Sequence, residues 1–259
     1  MKSYHRLIFF ILLVSFTRSN AQLDLSHEFG IFTGPVTFQS DYGERNHLPS
    51  STATSFGIAA VHYLSFFGNN YNWRNGASYF SDHFKLRTEL SYYFNNSFDH
   101  KGRFDDVQGV IGEQLRAMTG KTKIFNIGTQ LEYYFKNLED YGLLFNTVDR
   151  FAPYVSAGVQ YNSFDPELTN TPNGGLDVGN LPEKWRENFF IEPDKTFSLT
   201  VGAGTRYKLD KFDLVVDGRF QYFLSDRVDG LDQVDGSSKK NDTLLFFSVG
   251  VVFALEGTN

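Results

Sequence analysis

Three short stretches of this chain carry side chains that could do hydrolytic chemistry. They are Asp82-His83, Asp99-His100, and His62 with Ser65 three residues later. Hydrolysis needs a nucleophile or activated water, a base and an orienting group within hydrogen-bond reach. None of the three stretches contains a recognisable nucleophile motif. A second set of candidates is acidic. Asp226, Asp229, Asp232 and Asp235 recur every third residue beside Gly230 and Gly236. Carboxylates on a loop can hold Ca²⁺, but the EF-hand pattern wants alternate positions and a distal Glu. The spacing therefore reads as a solvated acidic loop, with cation binding as the alternative. A third set mixes signs: Glu28, Glu89, Glu132 and Asp217 against Lys85, Arg87, Arg206, Lys208 and Arg219. If these face one enclosed space they must pair, because an unpaired buried charge is expensive.

The elements that would position them have a period of two. In the clearest case Phe84, Leu86, Thr88, Leu90, Tyr92 and Phe94 share one face, while Lys85, Arg87, Glu89, Ser91 and Tyr93 share the other. The same alternation marks 123–135, 197–209 and 214–224, and less cleanly 25–34, 55–64, 151–163 and 244–255. That makes eight strands, with ten as the alternative. No stretch shows a helical stripe of three turns; 108–118 comes nearest and is interrupted by Gly109 and Gly112. The long polar connectors 35–54, 95–121, 165–195 and 226–243 alternate with shorter ones, down to the tight turn at 210–213. A soluble lipocalin-like barrel would also alternate, but its apolar face lines the interior. Here the charged face would have to line it.

Composition narrows the classes further. There are no Cys residues, so disulfides, thiolate metal sites and thiol nucleophiles are excluded. No Gly-rich turn joins a buried parallel strand to a helix, so dinucleotide binding is not expected, and no cofactor is implied. Lys2, His5 and Arg6 precede an apolar run from Leu7 to Phe16, and Ser19-Asn20-Ala21 offers small residues before a cut. This reads as a signal peptide over 1–21, routing the chain through Sec-type export, with one domain over 22–259. The leader holds three of the 24 basic residues and no acidic ones, leaving 21 basic against 30 acidic side chains, a net of −9. Such a surface does not suit nucleic acid. The chain has 28 Phe and 14 Tyr at a negative mean hydropathy. A barrel that wears its rings outside, in lipid and at the interfaces, accommodates them.

The chain end and several internal stretches resemble known barrels. Ser248, Gly250, Phe253 and Leu255 fill the four positions of the terminal insertion signal of bacterial outer-membrane β-barrels, with Leu255 where an aromatic is commoner and four residues following. Phe29-Gly30-Ile31-Phe32-Thr33-Gly34, Ser40-Asp41-Tyr42-Gly43, Phe151-Ala152-Pro153-Tyr154, Gly202-Ala203-Gly204-Thr205-Arg206-Tyr207 and Tyr222-Phe223-Leu224-Ser225-Asp226 resemble PorG-like barrels of Bacteroidota. The insert at 95–121 is longer than that family's, which places the chain nearer an uncharacterised flavobacterial branch. PorG is an accessory of the type IX secretion system.

The expectation is therefore an all-β, antiparallel transmembrane outer-membrane barrel, eight-stranded, with its N terminus at the periplasmic end. It should be no enzyme but a structural or accessory subunit that anchors or docks an envelope assembly. The alternatives are a stand-alone barrel with adhesive or protective loops, then a lipid-modifying enzyme or protease, since small outer-membrane barrels include both. Its partners would be outer-membrane lipid and secretion subunits. Glu28, Lys85, Arg87, Glu89, Glu132, Arg206, Lys208, Asp217 and Arg219 should plug the lumen as one ion-pair network. A selective pore is the alternative, but open channels need more strands. Docking would use the connectors 65–83 and 136–150, which carry Tyr71, Trp73, Tyr79, Phe80, Tyr141, Leu143, Leu144 and Phe145. Aromatic anchors often dominate interfaces; the alternative for Tyr79 and Phe80 is a lower aromatic girdle.

Overall fold

Eight antiparallel strands close on themselves in the computed structural model, which describes residues 25–42, 47, 51–66, 78–101, 106–138, 150–232 and 241–255. In chain order they are β1 (Ser26–Gln39), β2 (Thr52–Ser65), β3 (Phe84–Asp99), β4 (Thr119–Tyr134), β5 (Phe151–Thr169), β6 (Asp194–Lys208), β7 (Asp213–Phe223) and β8 (Thr243–Leu255). Each strand pairs with the next, and β8 pairs back onto β1 from His27↔Leu255 to Gln39↔Thr243. That closure makes the strand number eight and not ten. The expected signal peptide over 1–21, residues 22–24 and Tyr71, Trp73, Tyr141, Leu143, Leu144 and Phe145 lie outside the described residues.

Burial follows the pleat, and it is inverted relative to a soluble protein. Arg87, Glu89, Ser91 and Tyr93 of β3 are buried, while Leu90 and Phe94 are exposed. The same holds around the wall: Ile31, Ile58, Ile127, Val159, Val201, Phe220 and Val249 all face out and are exposed. A continuous apolar surface of this extent marks contact with lipid. Phe84 to Phe94 rises about 33 Å along the strand. A tilt of about 40° reduces that to about 25 Å, the height of an outer-membrane apolar band. Phe84, Tyr133 and Phe151 edge the band at one end, and Phe56, Phe94, Phe125, Tyr161 and Phe197 at the other. The end that carries the tight β6–β7 turn is called inner here, because short turns lie on the periplasmic side of such barrels.

Three features differ from the sequence expectation. The outer connectors are shorter than their polarity suggests, because the ladders run on past the apolar band: β3 reaches Asp99, β4 starts at Thr119, and β5 reaches Thr169. Pro166 is tolerated inside β5 because the pairing with β6 ends at Phe164↔Asp194, while the pairing with β4 continues to Thr169. Among the described residues two α-helices also form where no long stripe exists. α1 (Tyr79–His83) is capped by the Ser78 hydroxyl, which accepts from the Ser81 amide. α2 (Val110–Ala117) starts from Gly109 at φ +101°, a left-handed value that favours glycine. Finally, β3 and β4 shift register between Tyr93 and Asn96, a bulge just above the band.

Candidate functional site

The lumen is filled in layers, each built from inward side chains of several strands. At the inner end Glu28 of β1 takes two cations. Its Oε1 accepts from Lys85 Nζ of β3 and its Oε2 from Arg206 Nη1 of β6, both at 2.6 Å. Arg206 Nη1 also stands 3.5 Å from Asp213 Oδ2 at the start of β7. One layer higher Arg87 serves three carboxylates. It donates to Asp217 Oδ1 at 2.5 Å and to Glu89 Oε2 at 2.7 Å, and its Nη1 lies 3.5 Å from Glu132 Oε1. Arg219 donates to the same Glu89 Oε2 at 2.5 Å and to the Tyr93 hydroxyl at 2.7 Å. The Tyr134 hydroxyl donates to Glu132 Oε2 at 2.5 Å.

The expected single network is therefore two clusters. The Tyr63 ring lies between them, 4.1 Å from the Arg206 guanidinium carbon and 5.9 Å from that of Arg87, so cations of both clusters face one π-system. Lys208 is half-buried at the barrel's end, in register with Asp213, and the ion pairs above do not run through it. Asp213, Tyr63 and Tyr134 complete the clusters and were missed as site residues. The inward alternation of β4 runs on from Glu132 to Tyr134, but an uncharged side chain gives no signal of membership in an ion-pair network.

Above the charges sits a layer of amides and hydroxyls. Gln221 Nε2 donates to Asn162 Oδ1 and Ser198 Oγ, both at 2.9 Å, and Asn126 Nδ2 donates to Ser91 Oγ at 3.2 Å. Above that the interior is aromatic, which the ion-pair expectation did not include. Phe38 packs on Phe98 and Phe223 at 5.0 and 6.0 Å between centroids, and Tyr93 on Phe246 at 5.3 Å. The outer half of the lumen is thus an ordinary apolar core, because rings in contact exclude water without needing partners.

The outer end is closed by a cap from the β5–β6 and β7–β8 connectors. Leu181, Trp185, Val228 and Leu231 are buried there. The aspartates of the second connector are not a solvated loop. Asp229 is fully buried; its Oδ2 accepts from the Asp41 amide at 2.7 Å and its Oδ1 from the Leu231 amide at 2.9 Å. Asp242 Oδ2 accepts from the amides of Val228 and Asp229 at 3.1 and 3.3 Å. Asp226 is buried as well, and Asp232 accepts from Arg227 Nε at 2.8 Å. Carboxylates are used here as acceptors for turn amides that strands cannot satisfy. Burial, with Asp41 and then Asp226 as like-charged neighbours, holds the Asp229 carboxyl well above the ordinary range, against the pull of its two amide donors. Among the described residues no group of three or more His, Asp or Glu could hold a metal ion. Asp235 lies outside the described residues.

The acid–histidine candidates are split between the two ends. His62 pairs with His27, its Nε2 lying 2.9 Å from His27 Nδ1. His83 stacks between Tyr79 and Tyr133 at 4.3 and 5.9 Å between centroids. Ser65 and Asp82 are buried at that same inner end. His100 packs on the Tyr42 ring at 5.1 Å under the cap, where burial pushes its pKa down to about 4. Tyr79 and Phe80 lie on the outer wall: Tyr79 shares a hydrogen bond of 2.8 Å with the Tyr133 hydroxyl, and Phe80 stacks on Phe84 at 4.7 Å. The residues of the insertion signal divide between faces. Ser248 and Gly250 point inward, while Phe253 and Leu255 point outward and are exposed. A Cβ on Gly250 would come within 2.6 Å of the Phe32 ring, so this glycine makes room for the lumen.

Fold and filling together define the class: a small, closed, eight-stranded barrel of the bacterial outer-membrane type. No family model and no curated protein matches the chain. Solved structures similar to it include a major outer membrane protein of Thermus thermophilus, at 12% identity and a TM-score of 0.47, covering 88% of this chain and 99% of that one. Ail, the attachment invasion locus protein of Yersinia pestis, solved with a heparin analogue, is 11% identical at a TM-score of 0.39, covering 89% and 97%. The N-terminal barrel domain of Pseudomonas aeruginosa OprF is 13% identical at 0.38, covering 89% and 97%. At these identities the likeness is one of barrel fold.

Proposed function

We propose that this barrel is a structural or accessory protein of the outer membrane, docking an envelope assembly through surfaces outside its lumen. The filled lumen carries this reading. Two ion clusters, an amide layer and an aromatic layer occupy the space a channel or a substrate pocket would need, under a packed cap. Function then falls to loops and rims. The PorG-like stretches point to an assembly of the type IX secretion kind and to the inner rim, where the connectors 65–83 and 136–150 lie. The reading assigns the chain no reaction. The test is capture of the protein from mildly solubilised outer membranes, before and after each connector is shortened to a tight turn. Stoichiometric secretion subunits that are lost on shortening support docking. A complex that survives both deletions refutes docking at the inner rim.

A second reading has its own observation. The outer cap buries Trp185, Leu181, Val228 and Leu231 and is tied down by Asp229 and Asp242. A cap this well packed suits a stand-alone barrel with adhesive or protective outer loops. Recovery of the native protein as a monomer favours it.

A further inference from the structure

Four side chains in the middle of the lumen carry polar atoms that no protein group answers. They are Gln130 of β4, Gln160 of β5, Thr200 of β6 and Gln221 of β7, none more than 2% exposed. Gln130 Nε2, Gln160 Nε2 and Oε1, Thr200 Oγ1 and Gln221 Oε1 have no hydrogen-bond partner within the protein. Exchanging O and N of the Gln160 amide would satisfy neither end, since both are orphaned. A buried amide or hydroxyl without a partner is costly, so a group of them calls for a ligand that can both donate and accept.

The four residues are neighbours across the ladders. Gln130 stands opposite Gly158, Gly158 opposite Thr200, and Thr200 opposite Gln221; Gln160 stands opposite Gly128 in the adjacent row. The two glycines let the amides lie along the wall. A Cβ on Gly158 would come within 2.6 Å of Gln130 Cγ, and one on Gly128 within 2.4 Å of Gln160 Cγ. Gln130 thus covers its partner glycine on β5 and Gln160 covers its own on β4, and the two amides pass without bonding each other. The group lies against the upper ion cluster, because Arg87 is in register with Gln130 and Glu89 with Gly128. On its other side Gln221 Nε2 joins the amide layer through Asn162 and Ser198.

We propose that Gln130, Gln160, Thr200 and Gln221 hold an enclosed cluster of ordered water between the upper ion cluster and the amide layer. A buried water makes about three hydrogen bonds, so about two waters serve these atoms. Water donates to Gln160 Oε1 and Gln221 Oε1 and accepts from Gln130 Nε2 and Gln160 Nε2, while the Thr200 hydroxyl takes either role. The rings of Phe38, Phe98 and Phe223 pack together toward the outer end, so the water hydrates a plugged lumen and forms no conduction path.

The test uses the full-length barrel, isotope-labelled and folded in detergent micelles. In water-selective NOESY spectra the side-chain amide protons of Gln130 and Gln160 should show cross-peaks to water with the sign of a long-lived bound molecule. Paired ROESY spectra separate these from proton exchange. T200V and Q160M, which remove orphaned atoms at similar volume, supply an independent measurement by urea unfolding, with the heat-dependent gel shift confirming that each variant folds. In a hydrated site these variants lose hydrogen bonds to water, and each midpoint should fall below the parent's. In a dry site they remove unpartnered polar atoms, and the midpoints rise. Higher midpoints in both variants, or the absence of water cross-peaks from both amides, overturns the cluster.

Discussion

Removing Arg87 alone should destabilise the barrel more than removing it together with a carboxylate partner. Its guanidinium is fully buried and serves Asp217 at 2.5 Å, Glu89 at 2.7 Å and Glu132 at 3.5 Å. In Arg87→Met, Glu89 keeps Arg219 and Glu132 keeps the Tyr134 hydroxyl. The Asp217 oxygen that Arg87 held loses its cation. Breaking a buried pair from one side costs about 3–5 kcal/mol. The upper bound has a physical origin. A stranded carboxylate can take up a proton instead, and for an ordinary aspartate that costs about 4 kcal/mol at pH 7. The R87M/D217L double variant strands nothing at that position and replaces the pair by apolar volume. Its cost should fall below that of R87M by about 2 kcal/mol, a coupling well outside additivity. Urea unfolding from lipid vesicles, followed by tryptophan fluorescence and gel mobility, reads both numbers. The R87M deficit should also shrink as the pH is lowered toward 4. If the double variant costs as much as the two single variants together, the cluster is not held by charge compensation and the argument fails.

Leu90→Arg places a charge near the middle of the outward apolar run and should cost about 2–4 kcal/mol in vesicle folding, whereas the same change at an exposed cap residue should not; an undiminished L90R barrel would contradict the lipid-facing assignment. Gly250→Ala forces a methyl onto the Phe32 ring, which itself lies 4.8 Å from the Arg87 guanidinium carbon. Overpacking of this kind costs about 1–3 kcal/mol, measured by the same unfolding assay, and G250A with wild-type stability would show that the lumen can yield there. The cap should respond to acid in two opposed ways. His100 has a lowered folded pKa, so its contribution is present above about 6.5 and is lost as the pH falls toward about 4. Asp229 has a raised one, so its contribution is present at low pH and is lost as the pH rises through the folded value. H100N should therefore leave the cap more resistant to proteolysis near pH 4 than the parent; equal cleavage of both would remove His100 from that balance. Planar bilayers should show no steady large conductance for the purified protein, and a stable open level would refute a filled lumen.

The alternation in 84–94 determined which side chains of β3 face lipid, because a pleat admits only two faces and a barrel assigns them to lipid and lumen. The C-terminal run determined the closing strand in the same way. Eight periodic stretches foretold eight strands, while the strand ends past the apolar band stayed illegible, since polar residues pair in a ladder as readily as they form a loop. α2 was hidden because eight residues with a glycine inside, Gly112, make no stripe; the conformation of Gly109 at its N-cap and the chain around it decide that helix. Arg87 and Glu89 were legible as inward-facing members of an ion-pair network, yet which members pair with which was not. Asp217 is 130 residues from Arg87 in sequence, and the two meet only because the barrel brings β7 across from β3.

Composition and period two belong to the sequence alone: they set the class of fold, the lipid-facing residues and the charged character of part of the lumen. Pairing, the separation of the charges into two clusters around Tyr63, and the aromatic outer half belong to the tertiary structure. So do the burial of Asp229 and Asp242 in the cap and the meeting of His27 with His62. The physical reason is range. Which face a strand residue takes is decided by its immediate neighbours along the chain, whereas ion pairs, ring stacks and turn-capping carboxylates are decided by distance across the barrel, which exists only once β8 has closed on β1.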